Sequence, residues 1–322
     1  TANEENGTLL QLATLLLNSV IGAYDKNILE FGRGWLRQSY NSDDLQRFEK
    51  SVKDIDVLFI VDSNPAFTLP QSWKFKELLK KVKTVVSIQS FPCETDEFAH
   101  YALPSHHFLE SWGDAEPVSG FLSIQQPVMR ATTNSRQAED IFLWTLAAAK
   151  KNLPYSSYRA YLKEKWKGLS TLKEGKIAPF DNKYKKLLGT GFAGKLKERK
   201  VSSVRNVRLY FQKYKLPKNG PKLISPLDSR FLDGRGAHLP VLQEIGDAMT
   251  TIAWDTWVSL SPETMKSLGL RKNQKVRLEV SGESLDLAAY PMPGLHKDAV
   301  VVYRGNGHTD KRSTISFKNG EN

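Results

Sequence analysis

The stretch ETDEFAHYALPSHHFLESWGDAEPVSGFLSIQQP, residues 94–127, is where the reading of this chain turns. It is loop-rich and holds six carboxylates, Glu94, Asp96, Glu97, Glu110, Asp114 and Glu116. Such a set can supply acid/base pairs, but carboxylates in a region of this kind are expected to be solvated. Ser105-His106-His107 sets two imidazoles side by side, and a metal would need further ligands converging on them, so a polar loop is expected.

Upstream, helix and strand patterns alternate. An apolar run over residues 9–24, broken by Gln11, Thr14 and Asn18, is too short to span a bilayer and predicts a buried amphipathic helix. Ser42-Asp43-Asp44 suits the start of a short helix through Ser51. Val57-Leu58-Phe59-Ile60-Val61 predicts a strand, residues 72–81 a helix, and Thr84-Val85-Val86-Ser87-Ile88 a second strand. Two apolar strands joined by a helical crossover make a parallel βαβ unit. Ligands of open parallel sheets bind beyond the carboxyl ends of the strands. That rule selects the loops at 62–65 and 89–95, with Asn64, Pro65, Ser90 and Thr95. On local grounds alone Asn64-Pro65 is a turn and Ser90 and Thr95 are caps.

Downstream the pattern changes. Short β runs at 257–260, 275–281, 284–290 and 299–304, with one helix at 262–268 closed by Gly269, predict a small β-barrel. Between the halves, residues 150–222 hold 21 Lys or Arg against 4 Asp or Glu, although the whole chain carries only +11. The rest of the chain is therefore acidic. Expected boundaries are an α/β domain at 1–150, a basic connector at 151–222 and a barrel domain at 223–322.

With 322 residues, 40% apolar and 25% charged, the chain has the composition of an ordinary globular protein of two domains. The single Cys93 excludes an intrachain disulfide and any multi-thiolate zinc or iron–sulfur site built from this chain alone. Neither a Gly-x-x-x-x-Gly-Lys-Ser/Thr loop nor a Gly-x-Ser-x-Gly elbow occurs, which leaves ATPase and serine hydrolase chemistry without support. The chain begins at Thr1 without an initiator Met and stops just after a strand-like segment, as an excerpt of a longer protein would.

Residues 94–127 resemble the ET..AD..LP...FLE..GD.....G..S..QP signature of molybdopterin oxidoreductases of the dimethyl sulfoxide reductase type. Phe231-Leu232-Asp233-Gly234-Arg235-Gly236-Ala237-His238-Leu239-Pro240, followed by Leu242-Gln243-Glu244 and Trp254-Asp255, resembles the DGR.ANNPWLQE...TWDN element that opens the dinucleotide-binding barrel of that superfamily. The chain is similar in particular to the iron–sulfur and molybdopterin-like subunits of alternative complex III, a quinol-oxidising respiratory assembly. The resemblance implies a parallel-sheet, Rossmann-like α/β domain followed by a double-psi-like barrel. It also implies that Asn64, Pro65, Ser90, Thr95, Glu110, Gly113, Asp233, Arg235 and His238 stand where the superfamily approaches a molybdopterin guanine dinucleotide. Ser63 takes the place of the usual Gly, and His238 and Leu239 replace two Asn residues, which weakens polar readout.

No catalytic residue or metal ligand is assigned, since the resemblance implies that the domains with the metal ligand and the cluster cysteines lie outside these residues. The fragment is expected to hold no cofactor, to be inactive alone and to act as a scaffold. Its expected setting is the periplasm, against a quinol-oxidising membrane subunit and a cytochrome c subunit. The alternative is the cofactor-binding half of an active molybdenum oxidoreductase. A third reading takes the basic stretch as a binder of an anionic membrane surface or nucleic acid, without sequence preference because no base-reading motif occurs.

Overall fold

The computed structural model describes residues 7–23, 42–118, 121–151, 153–167, 180–194, 220–280 and 282–312. The chain divides into two units that do not follow its linear order: Thr1–Asn41 with His106–Lys218, and Ser42–Ser105 with Asn219–Asn322.

In the first unit, helix α1 spans Gly7–Val20. It was expected to be buried, yet Leu17 is 61% and Val20 82% exposed. The reason lies in its spacing: leucines at 9, 10, 15, 16 and 17 spread around more than half of the helix circumference, wider than one neighbouring element covers. Strands β4 (Gly113–Val118), β5 (Phe121–Gln125) and β6 (Phe192–Gly194) form an antiparallel sheet with β5 at its centre. Helix α5 covers Ala138–Ala148, α6 Tyr158–Lys167 and α7 Phe180–Thr190. The basic stretch thus contributes two helices and an edge strand here; its residues 168–179 and 195–219 lie outside the described ones. Leu162 and Trp166 of α6, one turn apart, meet Tyr184 and Leu187 of α7 and Leu122 and Ile124 of β5 in one buried cluster. Trp166 is fully buried, and its indole N–H donates to Asp114 Oδ2 at 2.9 Å.

The second unit contains the predicted parallel pair. After α2 (Ser42–Ser51), β1 (Val57–Val61) and β2 (Thr84–Gln89) run parallel, joined through α3 (Pro65–Thr68) and α4 (Phe75–Leu79). The expected helix over 72–81 is broken. Lys74 takes a left-handed φ of 48°, so a 3₁₀ turn at Gln71–Trp73 ends there before α4 begins. Strand β3 (Tyr101–Pro104) adds in parallel beside β2, making β2 central. That position explains its unbroken apolar run: Val85 and Ile88 are both fully buried, on opposite faces.

The other half of this unit is a five-stranded mixed sheet, ordered β7 (Lys222–Ile224), β11 (Ala299–Val302), β8 (Trp257–Leu260), β10 (Glu283–Pro291), β9 (Lys275–Val280). It curls into half a barrel, and among the described residues β7 and β9 are its edges. Helices α8 (Pro240–Glu244) and α9 (Pro262–Ser267) complete it. Ser261 caps α9 by accepting from Thr264 N at 3.0 Å, and Gly269 follows it at φ 66°. Val258, Leu260, Met265, Leu287, Ala289 and Val302 form its core. Among the described residues no helix is long and apolar enough to cross a membrane.

Candidate functional site at the ends of the parallel strands

The loop after β1 and the loop after β2 are locked together by side chains. Asn64 sits at the N-terminus of α3, ahead of Pro65 in the first helical turn. Its Oδ1 accepts from Thr95 N at 3.2 Å and from Thr95 Oγ1 at 2.9 Å, and its Nδ2 donates to Glu94 Oε2 at 2.6 Å. Thr95 Oγ1 in turn accepts from Ala66 N at 3.2 Å. Ser90 instead donates to Asp62 Oδ1 at 3.2 Å, and Asp62 holds a left-handed φ of 43° at the end of β1.

Glu94 is the centre of this arrangement, 1% exposed. Besides Asn64 it accepts from Thr309 N at 2.8 Å and meets His308 Nδ1 at 2.9 Å. His308 Nε2 lies 3.1 Å from Gly234 O, and its ring stacks on Phe67 with centroids 3.9 Å apart. Both ring nitrogens therefore lie within hydrogen-bonding distance of oxygen atoms. Burial by itself would push the Glu94 carboxyl up, but the hydrogen bonds from His308 and Asn64 outweigh it and hold it down at about 2. The carboxylate is thus charged, buried and fully engaged.

Further contacts fasten the chain after His308 to the same loop. Asp96 accepts from Ser87 Oγ at 2.6 Å and from Cys93 N at 3.1 Å. Arg312 donates to Cys93 O at 2.9 Å and pairs with Asp310 at 2.6 Å. Burial, reinforced by Asp96, pushes the Cys93 thiol up to about 12, so it stays protonated near neutrality and is no nucleophile.

Gly234, at φ 100°, is required where the turn passes His308. A Cβ there would stand 2.6 Å from Phe67 Cε1 and 2.7 Å from His308 Nε2. Gly234→Ala is expected to cost about 3 kcal/mol, from an unfavourable φ together with displaced rings. Urea unfolding followed by tryptophan fluorescence measures it, and a loss below about 0.5 kcal/mol would show that the turn relaxes freely.

Asp233 and Arg235 flank Gly234 and pair with each other at 2.7 Å, which lowers the Asp233 carboxyl and leaves Arg235 71% exposed along its side chain. The His238 ring lies tilted against Phe91, with centroids 3.9 Å apart. Burial lowers its proton affinity, and its Nε2 is buried with no hydrogen-bond partner among the described residues. Glu110 and Gly113 belong to the other unit. There Glu110 accepts from Thr132 N at 2.8 Å, Thr132 Oγ1 at 3.0 Å and His107 N at 3.1 Å, bonds that hold its carboxyl below the usual range, the Thr132 backbone bond first. Gly113 opens β4, where an added Cβ would meet Gln125 no closer than 3.6 Å.

Two expectations change. The carboxylates of 94–116 were read as a solvated set, but the side chains of Glu94, Asp96, Glu110 and Asp114 are only 1%, 6%, 4% and 6% exposed. Each is spent on local donors, which is what makes its burial tolerable. His308 was missed altogether. The only signal was Gly305-Asn306-Gly307 ahead of it, two glycines at positive φ that turn the chain back. The Ser105-His106-His107 loop is polar, as read: His106 Nδ1 lies 2.7 Å from Ser135 Oγ, and His107 Nδ1 accepts from Leu109 N. Among the described residues no three His, Cys, Asp or Glu side chains are grouped to hold a metal.

Comparison with known proteins agrees with this architecture. The molybdopterin oxidoreductase family model matches residues 24–143. Among solved structures, acetylene hydratase from Pelobacter acetylenicus superposes with a TM-score of 0.59 at 14% sequence identity. The match covers 86% of this chain and 42% of that one, so the chain spans less than half the length of that relative. A search of curated protein sequences found no match. Over residues 24–143 the chain is similar to the molybdopterin oxidoreductase family, and its fold is similar to that of acetylene hydratase.

Proposed function

We propose that this chain is the dinucleotide-domain portion of a molybdopterin oxidoreductase-like subunit, and that it works as a non-catalytic scaffold in a membrane-attached respiratory complex of the alternative complex III kind. In this reading the parallel sheet is a Rossmann-like half and the curled sheet the core of a double-psi barrel. The iron–sulfur clusters belong to a domain outside these residues. The partners are a quinol-oxidising membrane subunit and a cytochrome c subunit on the periplasmic side.

The observation that carries the reading is the occupancy of the strand ends by the protein's own side chains. Molybdopterin guanine dinucleotide needs polar groups free to bind phosphates and purine, and the residues present do not fit it well. The Asn64 amide, Thr95 and Glu94 are bonded to one another, Asp233 is paired with Arg235, and the His308 ring lies against Gly234. A ligand would have to break a buried charged contact to gain them, at a cost of several kcal/mol. Scaffold subunits have no such need, and a closed network suits them because it rigidifies the site.

One observation favours the alternative, an active cofactor-binding half. His238 Nε2 is buried with no hydrogen-bond partner among the described residues, so a polar atom remains there for a ligand. Elemental analysis and pterin fluorescence after acid oxidation separate the two readings. Purified protein is expected to contain neither molybdenum nor pterin, and no iron. Stoichiometric pterin overturns the scaffold reading in favour of the alternative.

A further inference from the structure

Helices α6 and α7 turn their apolar residues inward and leave a basic outer surface. The shared cluster takes Leu162 and Trp166 from one and Tyr184 and Leu187 from the other. Around these, α6 carries Arg159, Lys163, Lys165 and Lys167 with Glu164 as its sole acid, and α7 carries Lys183, Lys185 and Lys186 with Asp181. Arg159, Lys165, Lys167, Lys185 and Lys186 are exposed. Several of these cations are engaged locally: Lys165 pairs with Asp114 at 2.8 Å and Lys167 with Glu164 at 2.6 Å, while Arg159 lies over the Trp112 ring and Lys163 over the Tyr184 ring, yet the basic residues of the two helices still outnumber the acids Glu164, Asp181 and Asp114. The excess stands out because the chain outside 150–222 is net acidic. Charge scattered for solubility alone is mixed in sign, whereas this surface is nearly of one sign.

Exposed aromatic rings accompany the charge. Tyr161 on α6 is 37% exposed, and Phe192, two residues beyond the end of α7, is 53% exposed and stacks with Phe121 at 5.2 Å. Lysines beside solvent-facing rings are the chemistry of a bilayer interface, where ammonium groups meet lipid phosphates and carboxylates while rings settle at the headgroup level. A nucleic acid would use the same cations, but no base-reading element accompanies them.

We infer that the outer surface of α6 and α7 docks on an anionic lipid headgroup surface. The inference stands on the charge and exposure of this helix pair, so it does not depend on the scaffold reading, and pterin found in the protein would leave it intact. Each lysine near a charged bilayer contributes about fivefold to binding.

The test is co-sedimentation of the intact protein with phosphatidylcholine vesicles, with and without phosphatidylserine, across a salt series. Binding is expected only when phosphatidylserine is present, and it should weaken as salt rises, since exposed charges are screened within about 8 Å at physiological ionic strength. Replacing Lys167, Lys185 and Lys186 together by Gln is expected to weaken binding on the order of 100-fold with the circular dichroism spectrum unchanged. Phe192→Ser should weaken it by about 10-fold. Equal binding to neutral vesicles, or an unchanged affinity of the folded triple variant, overturns the inference. So does double-stranded DNA that displaces the protein from vesicles at equal charge concentration, which would make the surface a general polyanion binder. If the triple variant misfolds, the lipid and salt dependence of the wild-type protein still decides.

Discussion

His308→Ala is expected to remove about 3–5 kcal/mol of unfolding free energy, because it leaves the Glu94 carboxylate buried and short of a hydrogen-bond partner. Glu94 is 1% exposed and accepts from His308, Asn64 and Thr309 at 2.9, 2.6 and 2.8 Å. Water cannot replace the lost donor without opening the contact between the strand-end loops and the half-barrel. Glu94→Gln should be costly for the same reason in reverse, since His308 then faces two neutral oxygens. Combining His308→Ala with Glu94→Gln is expected to cost less than the two single changes added together, the mark of coupling. Urea denaturation of the four proteins measures this. Single changes costing under about 1 kcal/mol, or strict additivity, would show that the pair contributes little.

The same contact sets an acid limit. The Glu94 carboxyl titrates near 2 in the folded protein against an ordinary value of 4.5, so the unfolded chain binds the proton more readily. Its contribution, about 3 kcal/mol, is present above pH 4.5 and is lost as the pH falls from there through about 2. Glu94→Gln should therefore flatten the stability profile across that acid window while lowering it at neutral pH. A profile of unchanged shape would mean that another group controls acid unfolding.

Trp166→Ala is expected to cost about 3–5 kcal/mol in the other unit. Trp166 is fully buried between Leu162, Tyr184 and Leu187, and its N–H satisfies Asp114, whose side chain is 6% exposed. Truncation opens a cavity and leaves one carboxylate oxygen short of a donor. Trp166→Phe separates the effects: it keeps most of the volume and loses the hydrogen bond, for about 1–3 kcal/mol. Thermal unfolding with hydrogen exchange on α6 and α7 reads both. Equal costs for Phe and Ala would assign the whole effect to the hydrogen bond and none to packing.

Several elements were legible because their determinants are local. The run 84–88 is apolar on both faces, as suits a central strand covered on both sides, and the helical crossover from 57–61 to it gives the parallel arrangement. Ser261 with Pro262 at one end and Gly269 at the other mark α9 almost to the residue. The helix over 72–81 was misread because apolar spacing does not reveal that Lys74 sits at φ 48° and breaks it. Helix α1 has the right period, but its width of apolar coverage, and so its exposure, is a property of what packs on it.

By itself the sequence determined the parallel strand pair, the recurring short β runs of the curled sheet and the concentration of basic charge in 150–222. These are written in nearest-neighbour spacing, composition and motif. Only the tertiary structure decided that residues 42–105 group with 219–322, that Glu94 is a buried acceptor and not a solvated acid, and that His308, 214 positions away, is its partner. Burial and hydrogen-bond pairing depend on which distant residues share a low-dielectric space, and no local pattern around Glu94 or His308 encodes the other. The same holds for α6 and α7, whose lysines become one surface only because Trp166 and Tyr184 bring the two helices to a common core.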